Sequence, residues 1–349
     1  MFSFKFNNKV DFFAKYDKII LELIMSKIHL VVELGSSNTY IYRIGSGLII
    51  AEPSLVATKF GSDELFAVGS EAKKLIGKTS EAITVISPIE RGLIINKVMA
   101  EKMFAEFYKR VVPSKTIFNS VDVLLCVSNG LTDNQIEDFK DVIYSTGIGN
   151  VSIIMSSIVS LVGADININK PSAYISLNIG GGTTDFAVVS LNDIVTGFSI
   201  DFGGQDMDEA IRQYIYNTKR LEISILSAEK FKNECLSLYP NDTSNMEVSG
   251  VDIDTKKPRS EIILSSDIRV AVLHFFDNIC AGIEHLVNLC SPEIASDIAP
   301  NGIIITGGVA NLVGLENYIT QKVALPCFIP EEPKLATIIG GAKYYLNNN

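Results

Sequence analysis

Two short segments about 145 residues apart carry the residue types that could do chemistry in this chain. Val32-Glu33-Leu34-Gly35-Ser36-Ser37-Asn38-Thr39 and Leu177-Asn178-Ile179-Gly180-Gly181-Gly182-Thr183-Thr184 share one pattern. Each begins as an apolar strand and places one acid-sized polar residue, Glu33 or Asn178. Each then turns on glycine or small residues and re-enters a strand through Thr. Small residues admit backbone at positive φ and let consecutive N–H groups converge on an anion. One such hairpin is commonplace. Two copies imply a duplicated domain, with a polyphosphate held between the N–H groups of Gly35, Ser36, Ser37 and Asn38 on one side and Gly180, Gly181, Gly182 and Thr183 on the other.

The elements that must position these turns alternate between strand and helix, the pattern of an α/β protein. Apolar runs predict strands at 28–34, 39–44, 47–51, 121–127, 151–155, 173–178, 185–190, 194–200 and 302–306. Helical periodicity predicts helices at 97–110, 132–146, 156–164, 205–218, 227–238, 266–290 and 311–321. Segments 53–88 and 205–265 read as insertions on the duplicated scaffold. No Pro-rich linker separates the halves, so they are expected to pack on each other.

Composition bounds the function. The chain has 349 residues, enough for two cores, and 47% hydrophobic content, which suits a folded protein. A net charge of −10 argues against nucleic acid as a partner, because a phosphate backbone demands clustered Lys and Arg. Cys126, Cys235, Cys280, Cys290 and Cys327 form no CxxC pair and only three His are present, so free thiols in a reducing cytoplasm are expected rather than disulfides or a zinc site. No uninterrupted apolar run reaches the ~18 residues of a membrane span. Residues 1–24 carry Phe6, Val10, Phe13, Ile20 and Ile24 near one helical face among several Lys, which suits an amphipathic helix in a lipid interface. Phe12 and Ile19 sit on the other side, and Asp11, Asp17 and Glu22 dilute the basic charge; the competing reading, left open, is that Met25 is the natural start.

A resemblance to the actin-like ATPases, and within them to the MreB family, runs from about residue 28 to 345. It is carried by Glu52-Pro53-Ser54, by Val68 to Thr79, by Ile179 to Thr184, and by Gly203-Gly204-Gln205-Asp206-Met207-Asp208. Ala228-Glu229-Lys230-Phe231-Lys232, Pro292-Glu293-Ile294-Ala295-Ser296-Asp297-Ile298 and Thr306-Gly307-Gly308 complete it. The resemblance implies an actin-like fold of two duplicated ribonuclease-H-like lobes, each with a small inserted subdomain, and a nucleotide in the cleft between them. It implies a first large subdomain at 28–52, 89–164 and 336–349, with its small subdomain at 53–88. The second large subdomain falls at 165–204 and 266–335, its small one at 205–265, and an N-terminal extension at 1–27. ATP or ADP with Mg²⁺ is the implied cofactor, and self-association into filaments the implied partnership, in the cytoplasm and at the inner face of the membrane if residues 1–24 bind lipid. Glu229 and Lys232 would reach the nucleoside, with Gly204, Gly307, Gly308 and Val309 beside it.

The departures from the family fall on its catalytic parts. Family members usually carry Asp where this chain has Glu33 and Asn178; these carboxylates hold Mg²⁺ through its waters. Glu33 keeps the charge on a longer arm, whereas Asn178 loses it. A unit charge ~5 Å from a dication is worth several kcal/mol at an effective dielectric of ~20, before desolvation. The family's water-orienting Glu aligns with Gln135, a poorer base; the bland reading of Gln135 is a first-turn helix residue. Ser156-Ser157 replaces a Glu-Pro pair, and Val309 a glycine. These changes predict nucleotide binding with slow hydrolysis, in a divergent paralogue kept for assembly. The alternatives are a metabolite kinase on the same fold, for which neither Asp133 nor Asp165 is a convincing base, and a chaperone ATPase, whose class carries a further substrate domain where this chain stops at Asn349.

Overall fold

The structure is a computed structural model that describes residues 27–78, 82–112 and 120–348. The N-terminal amphipathic segment expected at 1–24 lies outside the described residues. The described residues open with β1 (Ile28–Leu34), β2 (Asn38–Arg43) and β3 (Gly47–Pro53). It leaves that sheet for a small one of β4 (Val56–Lys59), β5 (Leu65–Val68) and β6 (Ile83–Ile86), with α1 (Gly69–Lys73) between the last two. A tight hairpin of β7 (Ile89–Glu90) and β8 (Leu93–Ile94) leads to α2 (Lys97–Val111). The first sheet resumes with β9 (Val121–Val127) and, after α3 (Asp133–Tyr144), β10 (Asn150–Met155). Helix α4 (Ser156–Gly163) crosses to the second sheet, which starts with β11 (Tyr174–Ile179), β12 (Thr184–Ser190) and β13 (Asp193–Ile200). A second excursion holds α5 (Gly204–Lys219), β14 (Leu221–Glu222), α6 (Ile225–Glu234), β15 (Asn245–Asp252) and β16 (Pro258–Leu264). The chain then runs through α7 (Ser265–Asn288), α8 (Pro292–Asn301), β17 (Ile303–Thr306), α9 (Leu315–Val323), β18 (Cys327–Phe328) and α10 (Ala336–Asn348).

The duplication is explicit in the sheets. One has the order β3-β2-β1-β9-β10, the other β13-β12-β11-β17-β18. In both, three antiparallel strands are followed by two parallel ones. β1 and β11 occupy equivalent central places, and each is apolar along most of its length because helices cover both faces. The first lobe centres on Phe104, Phe107 and Met103 under β1 and β9. The second centres on Phe186, Phe231 and Phe276.

Two helices join the lobes. α4 carries the chain from the first sheet to the second, and α10 returns it to pack on β1, β2 and β9. They cross with almost no gap: a Cβ on Gly163 would lie 1.9 Å from the Ala336 carbonyl oxygen, and one on Gly340 would lie 1.7 Å from that of Val159. Glycine is required at both positions by backbone contact, not by backbone angle.

Several expectations shift. Asn311 belongs to a 3₁₀ turn, Gly308–Asn311, and α9 begins only at Leu315, because Gly314 at φ +85° breaks the run. α7 is long and apolar enough by composition to cross a membrane. Its stripe of Ile268, Val272, Phe276, Ile279, Ile283 and Leu286 is buried in the second lobe at helical spacing.

Candidate functional site

The two small-residue turns close with the same backbone hydrogen bond. Gly35 N–H donates to Asn38 O at 3.0 Å, and Gly180 N–H donates to Thr183 O at 2.9 Å. The strand registers match as well: Leu34 pairs with Thr39, and Ile179 with Thr184. Glu33 and Asn178 therefore occupy equivalent places at the ends of the central strands. Helix α5 starts against the second turn, with Gly204 N–H on Gly180 O at 3.0 Å and Gln205 N–H on Gly181 O at 2.8 Å.

The expectation of positive φ at these turns is corrected by the structure. Gly35, Gly180, Gly181 and Gly182 are not among the positive-φ glycines. Their smallness serves close approach instead. A Cβ on Gly181 would meet Ser37 Oγ at 1.9 Å, and one on Gly182 would meet Ser36 Oγ at 2.7 Å. Serines of one turn thus rest on glycine backbone of the other. Ser36 Oγ also accepts from Gly92 N–H at 2.8 Å, and Ser36 O from Gln205 Nε2 at 3.3 Å.

A cavity of about 720 Å³ lies between the lobes. It is lined by both turns, by Glu33, Asn178, Gly204, Glu229 and Lys232, and by Gly307, Gly308 and Val309. Gly307 sits at φ +90°, where a Cβ would meet Ile179 O at 2.3 Å. A Cβ on Gly308 would meet nothing within 4 Å. Val309 is accommodated because it stands in the 3₁₀ turn rather than at positive φ, and it is buried.

Gln135 is placed differently from its expected role. Its Oε1 accepts from Thr132 N–H at 2.8 Å, while its own N–H donates to Thr132 Oγ1 at 3.4 Å, closing a capping box at the start of α3. Thr at the cap and Gln three residues on is the sequence of that motif, and the side chain is not among those lining the cavity. Glu229 and Lys232 do not pair with each other. Glu229 grips Lys73 at 2.7 and 2.9 Å. Lys232 is buried against Asp208 at 2.7 Å and donates to Gly204 O at 2.8 Å.

Sequence reasoning missed Asp185, a further carboxylate lining the cleft beside the second turn. It follows the second turn, pairs in register with Asn178, and is 1% exposed, with Oδ1 lacking a partner. Burial pushes its carboxyl up to about 6, against hydrogen bonding from Ser199, Ser128 and the Asn129 amide. Glu33 Oε2 is likewise sealed from solvent and unpaired, although the rest of the residue reaches the cleft. Burial first, and the Asp185 charge second, raise Glu33 to about 8. An ionisable residue inside the apolar run Thr184-Asp185-Phe186-Ala187-Val188 was the available signal. Two buried, orphaned carboxylate oxygens are a donor set that a hydrated divalent cation would satisfy, so the residues present fit Mg²⁺. Cys126, beside Glu33 in the cleft wall, is a protonated structural thiol, since burial and the Glu33 charge push it well up.

Duplicated sheets, a small-residue turn on each wall and a cleft between them define an actin-like protein. The MreB/Mbl family model matches residues 27–349. The cell shape-determining protein MreB of Escherichia coli K12 is 33% identical over 319 residues, covering 90% of this chain and 92% of that protein. Mbl of Bacillus subtilis is 31% identical over 311 residues, covering 88% and 93%. MreB5 of Spiroplasma citri bound to AMPPNP has a TM-score of 0.87 at 31% identity, covering 92% of this chain and 96% of that one. The MamK double helical filament, with a TM-score of 0.78 at 18% identity over 92% and 99%, shares the fold. The chain belongs to the MreB/Mbl family.

Proposed function

We propose that the chain is a nucleotide-dependent, filament-forming bacterial actin homologue that serves as a cytoskeletal scaffold for cell shape or, in wall-less cells, helicity and motility. The observation that carries this reading is the pair of turns, each closed by the equivalent backbone hydrogen bond, facing each other across the cleft. Structures of Spiroplasma citri MreB5 bound to AMPPNP and to ADP, at 31% and 30% identity, support ATP and ADP as the ligands. Gly35 to Asn38 and Gly180 to Thr183 would hold the phosphates, and Gly307 and Gly308 would admit the nucleoside without a side chain between. Glu33 and Asp185 would hold Mg²⁺ through its waters; bound there, the ion would neutralise phosphate charge.

Hydrolysis is slow in this reading. Asn178 carries no charge at the place equivalent to Glu33, and Gln135 is engaged with the Thr132 amide. Nucleotide biases lobe closure, and closure biases a head-to-tail contact that does not close into a ring and so propagates as a filament. Residues 1–24 supply the contact with the inner face of the membrane. Sedimentation with and without ATP tests the proposal: an ATP-dependent pellet is expected, and a chain that binds ATP yet stays in the supernatant at every concentration contradicts the filament.

A further inference from the structure

We propose that Lys73 and Glu229 form a latch across the mouth of the cleft that sets how fast nucleotide leaves it. The proposal rests on the nucleotide reading above and adds a residue, Lys73, with no role in it so far. Lys73 Nζ lies 2.7 and 2.9 Å from the two carboxylate oxygens of Glu229. Lys73 ends α1, on the small subdomain inserted in the first lobe; Glu229 stands on α6, in that of the second. Both line the cavity, so a ligand moving between α1 and α6 must part them.

The stems on either side are anchored independently of the latch. The first turn of α1 is pinned where Ser70 N–H donates to Glu52 Oε2 at 2.7 Å, and Arg110 holds the other oxygen of Glu52 at 3.0 Å. On α6, the next inward-facing cation, Lys232, is bound to Asp208 with side-chain exposures of 11% and 8%. The latch pair is 36% and 34% exposed. Solvent and salt therefore reach Lys73 and Glu229, and a pair of that exposure opens at modest cost. At the phosphate end the lobes are tied separately, by Arg91 Nη2 on Asp206 at 3.2 Å, Arg91 Nη1 on Asp201 O at 3.0 Å and Gln205 on Ser36 O. Opening at the mouth is then a hinge motion that leaves the turns apposed. Lys74, one residue on, pairs with Glu71 on the same segment, and among the described residues it has no ion pair across the cleft.

The test is release of tritiated ADP from the full chain, chased with unlabelled ADP and followed by rapid filtration at low and high salt. Lys73→Ala is expected to speed release about fivefold at low salt, with the ratio to the native chain falling towards one at high salt. Lys73→Glu sets two carboxylates face to face and should be faster still, whereas Lys73→Arg should stay within about twofold of native. Lys74→Ala, which removes a charge from the same helix without touching Glu229, should release ADP at the native rate. Release from Lys73→Ala that equals the native rate, or a speeding that salt does not diminish, overturns the latch while leaving the nucleotide site intact. Failure of the native chain to retain any ADP overturns the nucleotide reading, and the latch with it.

Discussion

The two small-residue turns have one backbone and different chemistry. Both end a central strand, both close with an N–H to C=O bond three residues on, and both return through Thr. On the first wall the turn supplies side chains: Ser36 and Ser37 reach outward, and Glu33 keeps a carboxylate at the strand end. On the second wall the turn supplies absence: those serines rest on two of its glycines, Gly181 and Gly182. Its carboxylate stands on the neighbouring strand, at Asp185, which pairs in register with Asn178. Duplication preserves what the backbone must do; the division of side chains between the walls is free to drift, provided that the sum still fills the cleft.

The sharpest way to break that complementarity is Gly181→Ala. Its Cβ would fall 1.9 Å from Ser37 Oγ and 2.6 Å from Ser37 Cβ, so the walls must part. Overpacking of this kind costs about 1–3 kcal/mol, and ATP binding measured by equilibrium dialysis should fall by about fivefold to a hundredfold. Ser37→Gly in the same chain should restore it. Gly35→Ala, whose Cβ would meet only Asn38 O of its own turn at 2.9 Å, should be milder. Equal losses from Gly35→Ala and Gly181→Ala would contradict the division of labour between the walls.

A second effect, smaller and readable without nucleotide, comes from the two carboxylates. Glu33 is raised from 4.5 to about 8 and Asp185 from 3.8 to about 6, so the folded protein holds protons that the unfolded chain has already released. Stability is thus fullest below the unfolded values and falls as pH rises through about 6 and then about 8. Thermal unfolding in metal-free buffer should show this decline. Glu33→Gln should flatten it and raise the midpoint at alkaline pH by several degrees, at roughly 2–4 °C per kcal/mol. A midpoint that climbs with pH over that interval would remove the buried pair from the account.

Gln135 gives the smallest effect. Either Glu or Gln completes a capping box, so Gln135→Glu should leave the unfolding midpoint unchanged, while Gln135→Ala costs about 1 kcal/mol. If Gln135→Ala is silent in thermal melts, the capping contact is not what holds that side chain.

Much of this arrangement was legible in the residues, because central strands buried on both faces are long apolar runs. β1 and β9 coincide with the predicted spans, and the other strands of the two large sheets for which a strand was predicted lie within about two residues. The small sheets were not legible. Their strands are short or lie half in solvent, with Phe66 53% and Ile262 64% exposed, so their apolar stretches, such as Leu65–Val68, are too brief to mark a buried strand. α10 was hidden by Gly340-Gly341, which read against a helix. The reason for those glycines is tertiary: the carbonyl of Val159 and the side chain of Val31 leave no room for a Cβ. The turns were found from their spacing, but the reason for their glycines was not, since contact between segments 145 residues apart has no local signature. Lys73 was missed for the same reason, whereas Asp185 left a local trace, a carboxylate inside an apolar run, that shows neither its partner nor its place in the cleft. Each acquires its role from a partner on another strand or subdomain.

The central claim, a scaffold that binds ATP between paired turns and turns it over slowly for want of a carboxylate at Asn178, is tested most directly by phosphate release measured beside sedimentation, with ATP and Mg²⁺, on the native chain and on Asn178→Asp. The account predicts that the native chain pellets with little phosphate released and that Asn178→Asp raises the release clearly. Brisk release from the native chain, or no change on restoring the carboxylate, would contradict it.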